Sequence, residues 1–508
     1  MKVANPTQLQ VRKAGDNIRH NRDVCLLLEG TYPYVFGGVS AWVDQILHAM
    51  PERKFDLTFI GSCKEANGKT KYKLASNIGT IHEIYLQNGS AQNFRFTRKT
   101  RVRSQDVIDL VKAYLAGGVS EPLDVMDAAC DLASRCSLRD FWELPETWEL
   151  LQEIYENNAR AYSFKEFYWN IWNFVSHLWA LLGSADKVPE APVYHSVCTG
   201  YAGMLGALLK HRRGGKLLLS EHGIYVKERI EDLRTANWIA DPGERVPALG
   251  NPGGVLTDLW MQFFLFQARV SYRSADQIIS LFDRNADMQV EFGADQEKIR
   301  IIPNGVASAE EATVAGCPEA RRRPTIGFLG RIVPVKDIFT LLRAMPIVLT
   351  DCPSAELLIA GPTDEDSDYH VECLDLARRL GLEDSVRFIG KVSPNEFFPD
   401  IDVMVLTSLS EGLPFALLEA LAFGIPSVVT DVGACRELIE GHAENSSVCG
   451  SAGIVTSVAE PEQTGSALLR LLKNSSLRQE YGEIGRRRAA NDYALNDVVS
   501  AYQKLYDS

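Results

Sequence analysis

Two acids, Glu411 and Glu419, stand eight positions apart in the otherwise almost wholly apolar stretch SEGLPFALLEALAFGIPSVVTD (410–431), with no basic residue near them in sequence. Carboxylates are rarely buried without a partner, because losing their hydration is costly. The strand-like run DVMVLTS (402–408) delivers Glu411 to a loop, and Gly412 and Pro414 mark a tight entry to a helix that runs on through Glu419. Both acids can then face one cleft from different depths and accept hydrogen bonds from ligand hydroxyls, while the amides of the helix start face a phosphate. A polyhydroxylated group bearing a phosphate suits such a site. A capping Glu followed by a solvent-facing helix Glu is the bland alternative, and the apolar neighbours weaken it.

Other stretches could serve the same ligand. In GFLGRIVPVKD, Arg331 and Lys336 follow a strand end at Gly330, and a bidentate guanidinium beside a mobile ammonium suits a diphosphate. A P-loop is excluded, since the second Gly and the Ser or Thr after the Lys are missing, and NGKT (67–70) fails because Cys63 stands where the first Gly belongs. In LEGTYPYVFGGVSAWVDQIL, Gly37, Gly38 and Ser40 lead from a strand to a helix, so backbone amides could approach an anion. A plain turn needing positive φ would look the same there, as a surface Arg and Lys would at 331 and 336. His222 in LLSEHGIY and His195 in VYHSVCTGYAG each follow a strand directly. A satisfied structural histidine competes with a proton-sharing one at both. The acidic cluster DEDSD (364–368) lacks the glycine and bidentate Glu of a calcium loop, so it reads as a loop capping the next helix, and no metal site is expected.

These residues need strands to present them. Short apolar runs at 24–30, 55–61, 191–197, 215–223 and 275–282, then at 324–331, 355–362, 385–392, 402–408 and 426–433, alternate with helical patterns. Continuous apolar strands separated by helices mean parallel sheets covered on both faces. The two sets are divided by the polar stretch 304–324, which gives two doubly wound α/β domains whose ligands bind outside the carboxyl ends of the strands. The expected organisation is a disordered lead-in at 1–20, a first domain at 21–315 with a helical insertion at about 64–190, a second domain at 322–485 and a C-terminal helix at 486–508. Within the insertion, SQDVIDLVKAYLAGG and TWELLQEIYENNARAYSFKEF read as helical. In the final segment Val498, Val499, Tyr502, Leu505 and Tyr506 fall on one helix face, which must dock somewhere.

Composition limits the function classes. The 508 residues exceed what one core supports, and the formal charge of -13 argues against a surface that wraps nucleic acid. Ten cysteines without a CxxC pair, behind an N-terminus lacking a secretory apolar core, read as reduced thiols of a cytoplasmic protein, most of them buried. Residues 167–185 hold no Asp, Glu, Lys or Arg, but Asn170, Asn173, Ser176 and His177 favour a buried or partner-facing helix over a membrane span.

Taken together, GGVS after the first strand, EHG, IIPNGV, GRIVPVKD, EGLPFALLE and DVGACRELI resemble the family-four retaining glycosyltransferases of GT-B fold. The resemblance covers nearly the whole chain apart from the insertion. The opening residues, the insertion and SEHGIYVKERI are more similar still to the cytosolic transferases of Pel exopolysaccharide systems. It implies two Rossmann-like domains facing a cleft, with the C-terminal helix crossing back onto the first, and a UDP-sugar as donor with no cofactor or metal required. It further implies that Glu411 contacts hexose hydroxyls, Glu419 the ribose, and Arg331 and Lys336 the diphosphate. Gly37 and Gly38 would border the phosphates, Gly412, Leu413, Pro414, Phe415 and Ala416 would offer amides, Lys391 and Val392 would hold the base, and His222 would line the sugar site. Departures from the family pattern are Ala307 in NGVA, where Asp is frequent, and the single glycine of DVGAC.

The expected function is transfer of a hexosyl unit from UDP-glucose or a related UDP-hexose to a polysaccharide acceptor, in the cytoplasm or peripheral to an inner-membrane synthase complex. A nucleotide-sugar epimerase of the same fold and a nucleotide-sensing scaffold subunit are the competing readings.

Overall fold

A computed structural model describes residues 23–64, 68–87, 122–160, 162–235, 255–307, 323–441 and 448–508. The lead-in at 1–20, the helical pattern SQDVIDLVKAYLAGG and the central part of the interdomain stretch lie outside the described residues. The first sheet contains β1 (Val24–Glu29), β2 (Phe55–Gly61), β3 (Ile78–Tyr85), β4 (Val193–Ser196), β5 (Lys216–Glu221), β6 (Gln277–Ser280) and β7 (Ile299–Ile301), in the spatial order β3-β2-β1-β4-β5-β6-β7. The second contains β8 (Thr325–Leu329), β9 (Glu356–Ala360), β10 (Val386–Gly390), β11 (Val403–Leu406), β12 (Ser427–Thr430) and β13 (Gly453–Thr456), in the order β10-β9-β8-β11-β12-β13. Every neighbouring pair is parallel. Strand order reverses between β1 and β4 and between β8 and β11, and such switch points open a crevice at the carboxyl ends.

The central strands follow from sequence because both of their faces are buried: VCLLLE in β1 and VMVL in β11 are covered on both sides. Three strands escape that reading. In β3, IGTIHEIY interleaves polar residues with its isoleucines and most positions are only half-buried, while β7 and β13 are edge strands of three and four residues. The presence of β3 corrects the expected insertion, which begins after Tyr85 rather than near residue 64. Its described helices are Pro122–Arg135, Leu138–Trp142, Pro145–Asn158 and Phe164–Leu182.

Four helices bear on the site or frame it: α1 (Gly38–Ala49), α2 (Phe164–Leu182), α3 (Phe415–Phe423) and α4 (Leu495–Asp507). Helix α2 starts at a capping box between Ser163 and Glu166 and buries Phe167, Ile171, Phe174 and Val175. Among the described residues, no helix is long and apolar enough to cross a membrane. The nine described cysteines are free, but only Cys25, Cys130, Cys373 and Cys435 are buried, fewer than expected.

The chain returns to the first domain through a short junction, where Val306 pairs with Ala494. The crossing helix thus starts at Leu495, and the preceding helix Ser475–Asp492 belongs to the second domain. There the fully buried Arg488 donates to the carbonyls of Leu438, Ile439, Val448 and Gly450. Helix α4 buries Val498, Val499, Tyr502 and Tyr506 against α1, and Leu505 packs half-buried on the same cluster. His195 Nδ1 lies 2.8 Å from the Tyr506 hydroxyl and its Nε2 2.8 Å from Ser220 Oγ, which in turn lies 3.1 Å from the Tyr502 hydroxyl. Burial holds the His195 ring down at about 3, so it is a neutral structural member of this docking surface. Replacing a fully buried aromatic by Ala costs about 3–5 kcal/mol. Tyr502→Ala is therefore expected to lower stability by about that much in chemical denaturation, and a loss below about 1 kcal/mol would contradict the docking.

Candidate active site

Most of the singled-out residues sit on loops that leave the carboxyl ends of strands or at the first residues of the helices that follow; Glu419 lies farther inside α3, and His195 lies in β4 itself. Gly37 and Gly38 follow β1, His222 follows β5, Arg331 and Lys336 follow β8, Lys391 and Val392 follow β10, and Glu411 through Pro414 follow β11. The two domains meet backbone to backbone. A Cβ on Gly412 would stand 2.4 Å from the His222 carbonyl oxygen. Beside that contact the buried Asn304 donates through Nδ2 to the Leu413 carbonyl at 2.9 Å. Gly433, at φ +53°, supports the same loop from below, since its Cβ would lie 2.2 Å from the Glu411 carbonyl oxygen. The Ala434 amide donates to the Gly412 carbonyl at 2.9 Å.

Glu411 has a basic partner that its sequence neighbourhood did not show. Lys336 Nζ donates to Glu411 Oε1 at 2.5 Å, and Ser408 Oγ donates to the same oxygen at 2.6 Å. The ion pair is nearly buried, with side-chain exposures of 16% and 9%. Lys336 is set by a short turn whose next residue, Asp337, adopts φ 45° and caps the following helix through Thr340. Thr407 Oγ1 donates to the carbonyls of both Lys336 and Asp337, at 3.1 and 2.9 Å. Arg331 does not join this pair; it is engaged by Glu365 and half-exposed, so the two cations of GRIVPVKD are held by different acids. Two more acids of DEDSD are also occupied, Asp366 capping a helix through the Tyr369 amide at 2.9 Å and Asp364 lying 3.7 Å from Lys71.

Glu419 presents the opposite case. It forms no hydrogen bond or ion pair among the described residues, and burial pushes its carboxyl up to about 7. Between the two acids, α3 begins at Pro414 with no side-chain cap, so the amides of Phe415 and Ala416 lack intrahelical acceptors. Phe415 itself turns its ring to the first domain's core and approaches the position of a Cβ on Gly38 at 3.9 Å, so only its amide faces the cleft chemistry. Helix α1 is likewise uncapped at Gly37, which is extended at φ 170°. A Cβ on Gly37 would meet nothing within 4 Å, so neither positive φ nor protein crowding requires glycine there. Two uncapped helix starts thus lie close together, an arrangement that favours an anion beside them.

His222 is buried under Trp42, whose ring lies 4.8 Å away. Both ring nitrogens lack a hydrogen bond of normal geometry. Burial lowers the ring to about 4, offset in part by Asn304. The ring is therefore neutral at neutral pH, and the expected proton sharing near neutrality gives way to hydrogen bonding by an uncharged imidazole. Trp42, Asn304, Ser408 and Gly433 are the positioning residues that sequence reasoning missed.

Residues 22–297 match the family model described as a domain of unknown function, DUF3492, and residues 315–488 match the model for group 1 glycosyl transferases. The chain belongs to the DUF3492 family. Its second half carries a group 1 glycosyl transferase domain, and the fold is GT-B. The N-acetyl-alpha-D-glucosaminyl L-malate synthase of Bacillus anthracis is 31% identical over 34% of this chain and 42% of its own length. An uncharacterized glycosyltransferase of Methanocaldococcus jannaschii is 26% identical over 51% and 66%. A D-inositol 3-phosphate glycosyltransferase of Kineococcus radiotolerans is 27% identical over 42% and 53%. This DUF3492 chain therefore spans between about two fifths and two thirds of the length of these curated relatives. Among solved structures, Anabaena HepE in complex with UDP and glucose superposes with a TM-score of 0.57 at 14% identity, covering 96% of this chain and 100% of that one. Sucrose-phosphate synthase from Thermosynechococcus elongatus gives 0.57 at 15% identity, covering 96% and 98%.

Two outcomes follow for the DUF3492 chain. Gly433→Ala should push Glu411 off its Lys336 pair and lower any catalytic turnover at this site by about 100-fold, the cost of a displacement of about 1 Å in a catalytic constellation. Unchanged kinetics would show that the loop position is unimportant. Glu419 keeps a proton when folded up to about pH 7 that the unfolded chain gives up near the ordinary glutamate value of 4.5. Unfolding then releases a proton in that window, so stability falls as pH rises from 4.5 toward 7 and stays low above it. The full effect is on the order of 3 kcal/mol. Glu419→Gln is expected to flatten this slope in denaturation measured across pH, and an unaltered slope would contradict it.

Proposed function

We propose that this protein is a retaining glycosyltransferase that moves a hexosyl unit from a UDP-sugar, UDP-glucose or a related UDP-hexose, to a growing exopolysaccharide or related acceptor. The observation that carries the reading is the pairing of Lys336 with Glu411 beside an uncapped helix start, with Glu419 left unpartnered eight residues on. An ion-paired carboxylate and a half-buried one without a protein partner among the described residues frame a space in which hydroxyls would be met at both ends and a diphosphate in the middle.

In this reading Glu411 accepts from hexose hydroxyls and Glu419 from the ribose. The diphosphate lies between the starts of α1 and α3, bordered by Gly37 and Gly38 and by the amides from Gly412 through Ala416. Arg331, leaving Glu365, and Lys336 stabilise the charge that develops on the departing nucleotide, and preorganised charge of this kind is the main source of rate in such reactions. Lys391 and Val392 hold the base, and neutral His222 hydrogen-bonds the sugar from the first domain. Glu411 is tied to Lys336 and Ser408 and is poorly placed to act as a glycosidase-type nucleophile. Attack from the leaving-group face, with the departing phosphate taking the acceptor proton, fits these residues better. Two cations and two helix starts supply the positive charge the diphosphate needs, so the scheme calls for no metal.

The donor class draws support from the neighbour whose structure holds UDP and glucose. The acceptor class rests on resemblance to PelF of the Pel exopolysaccharide system, which also suggests a cytoplasmic protein that docks on an inner-membrane synthase complex. Titration with UDP, ADP and GDP should give at least about tenfold preference for UDP, equal to 1.4 kcal/mol of discrimination. Arg331→Ala and Glu411→Ala, each checked for folding, should lose at least about 100-fold in UDP-sugar turnover. Full turnover in either variant would overturn the assignment.

A further inference from the structure

The loop after β1 carries one aromatic ring across the cleft. Phe36 stands immediately before Gly37 and Gly38, and Lys391 Nζ, from the loop after β10 in the other domain, lies 3.3 Å from its ring centroid. The same ring lies 5.3 Å from Tyr72 and 5.7 Å from Lys71 Nζ. The two segments that form this lip are knitted together: the Lys71 amide donates to the Pro33 carbonyl at 2.8 Å, and the rings of Tyr32 and Tyr72 lie 5.1 Å apart. From the second domain, Asp364 reaches Lys71 at 3.7 Å.

Two ammonium groups therefore converge on one phenyl ring, with a single exposed carboxylate between them. Like charges so placed repel, and Lys391 is held below its ordinary value by burial and by Lys71, with Asp364 offsetting in part. The ring face is thus covered by an ammonium whose attraction to the ring is opposed by burial and by a second ammonium beside it. A ligand that displaces that group must be flat, uncharged where it meets the ring, and attached to whatever anion lies at Gly37 and Gly38. A nucleobase on a diphosphate meets those conditions, since every base has a π-face that stacks on aromatic side chains.

We propose that Phe36 is the first domain's wall of the nucleobase pocket: the donor's base, held at its edge by the Lys391–Val392 backbone, takes the ring face now covered by the Lys391 ammonium and stacks on Phe36. The pocket is then closed by a residue of each domain, and base binding draws the two lips together. This rests on the UDP-sugar reading of the cleft.

The test is calorimetric titration of the full chain, and of the variants Phe36→Ala, Phe36→Trp and Asp364→Asn, with UDP and separately with inorganic pyrophosphate. Phe36→Ala is expected to weaken UDP about tenfold, in line with loss of one base-aromatic stack, and to leave pyrophosphate within about twofold. Phe36→Trp should bind UDP like the parent. Asp364→Asn, which breaks only the ion pair between the lips, should leave both ligands within about twofold. UDP binding indifferent to Phe36→Ala overturns the proposal. So does equal loss of UDP and pyrophosphate, which would mark a disturbed phosphate loop, or an equal loss in Asp364→Asn, which would mark a simple latch. A parent chain that binds pyrophosphate but no nucleoside diphosphate overturns the donor reading itself, whereas tight UDP binding that ignores Phe36 overturns only the role of Phe36.

Discussion

The His222 carbonyl oxygen lies so close to Gly412 that no side chain fits at position 412. That contact, between the loop after β5 and the loop after β11, fixes how deep the cleft can be and which groups can face one another across it. Asn304 makes the neighbouring contact directional by donating to the Leu413 carbonyl. Gly433 removes the last freedom, because a Cβ there would meet the Glu411 and Gly412 carbonyls. Glu411 is thus delivered to Lys336 by backbone packing on two sides, and the ion pair inherits its geometry from positions that carry no charge.

The electrostatics follow from that placement. A buried carboxylate is tolerated when its charge is matched and its lone pairs are met. Glu411 meets both conditions within the protein, through Lys336 and Ser408. Glu419 meets neither, and its carboxyl rises to about 7. The same helix leaves its first amides uncapped, which places unmet donors and an unmet acceptor within a few residues of each other. Such a combination costs stability in the free protein and returns it when a ligand supplies hydroxyls at one end and anionic oxygens at the other.

Much of this arrangement was visible in the sequence because it was anomalous there. Two acids in an apolar run, glycines at a strand-to-helix turn and an apolar face on the last helix each violate or complete a local rule, and local rules are what a sequence displays. The central strands were equally legible, since a parallel strand buried on both faces is apolar throughout. What escaped depends on partners distant in the chain. Glycine at 412 is required by a carbonyl at 222, Lys336 answers Glu411 across 75 residues, and Arg331 is engaged by Glu365. The edge strand β3 escaped for a different reason: covered less completely, IGTIHEIY sets Thr80, His82 and Glu83 among isoleucines spaced by three and resembles a loop or a helix start.

The crossing helix α4 lies far from the proposed chemistry in sequence, yet it is one contact removed from it in space. Tyr502 packs on Trp42 at 5.1 Å, and Trp42 packs on His222 at 4.8 Å. Because α4 enters from the second domain through the Val306–Ala494 pairing, the ring that backs His222 is braced by a segment the second domain delivers. The domains are therefore joined at both ends of one line, by His222 against Gly412 in front and by α4 against Trp42 behind. A relative motion of the domains that opened the front contact would have to bend the junction at 493–495 or shift Tyr502 on Trp42. Close-packed interiors resist gradual deformation of that kind. The short junction is consequently the place where any opening of the cleft must be absorbed, and α4 is the element that transmits it to the His222 loop.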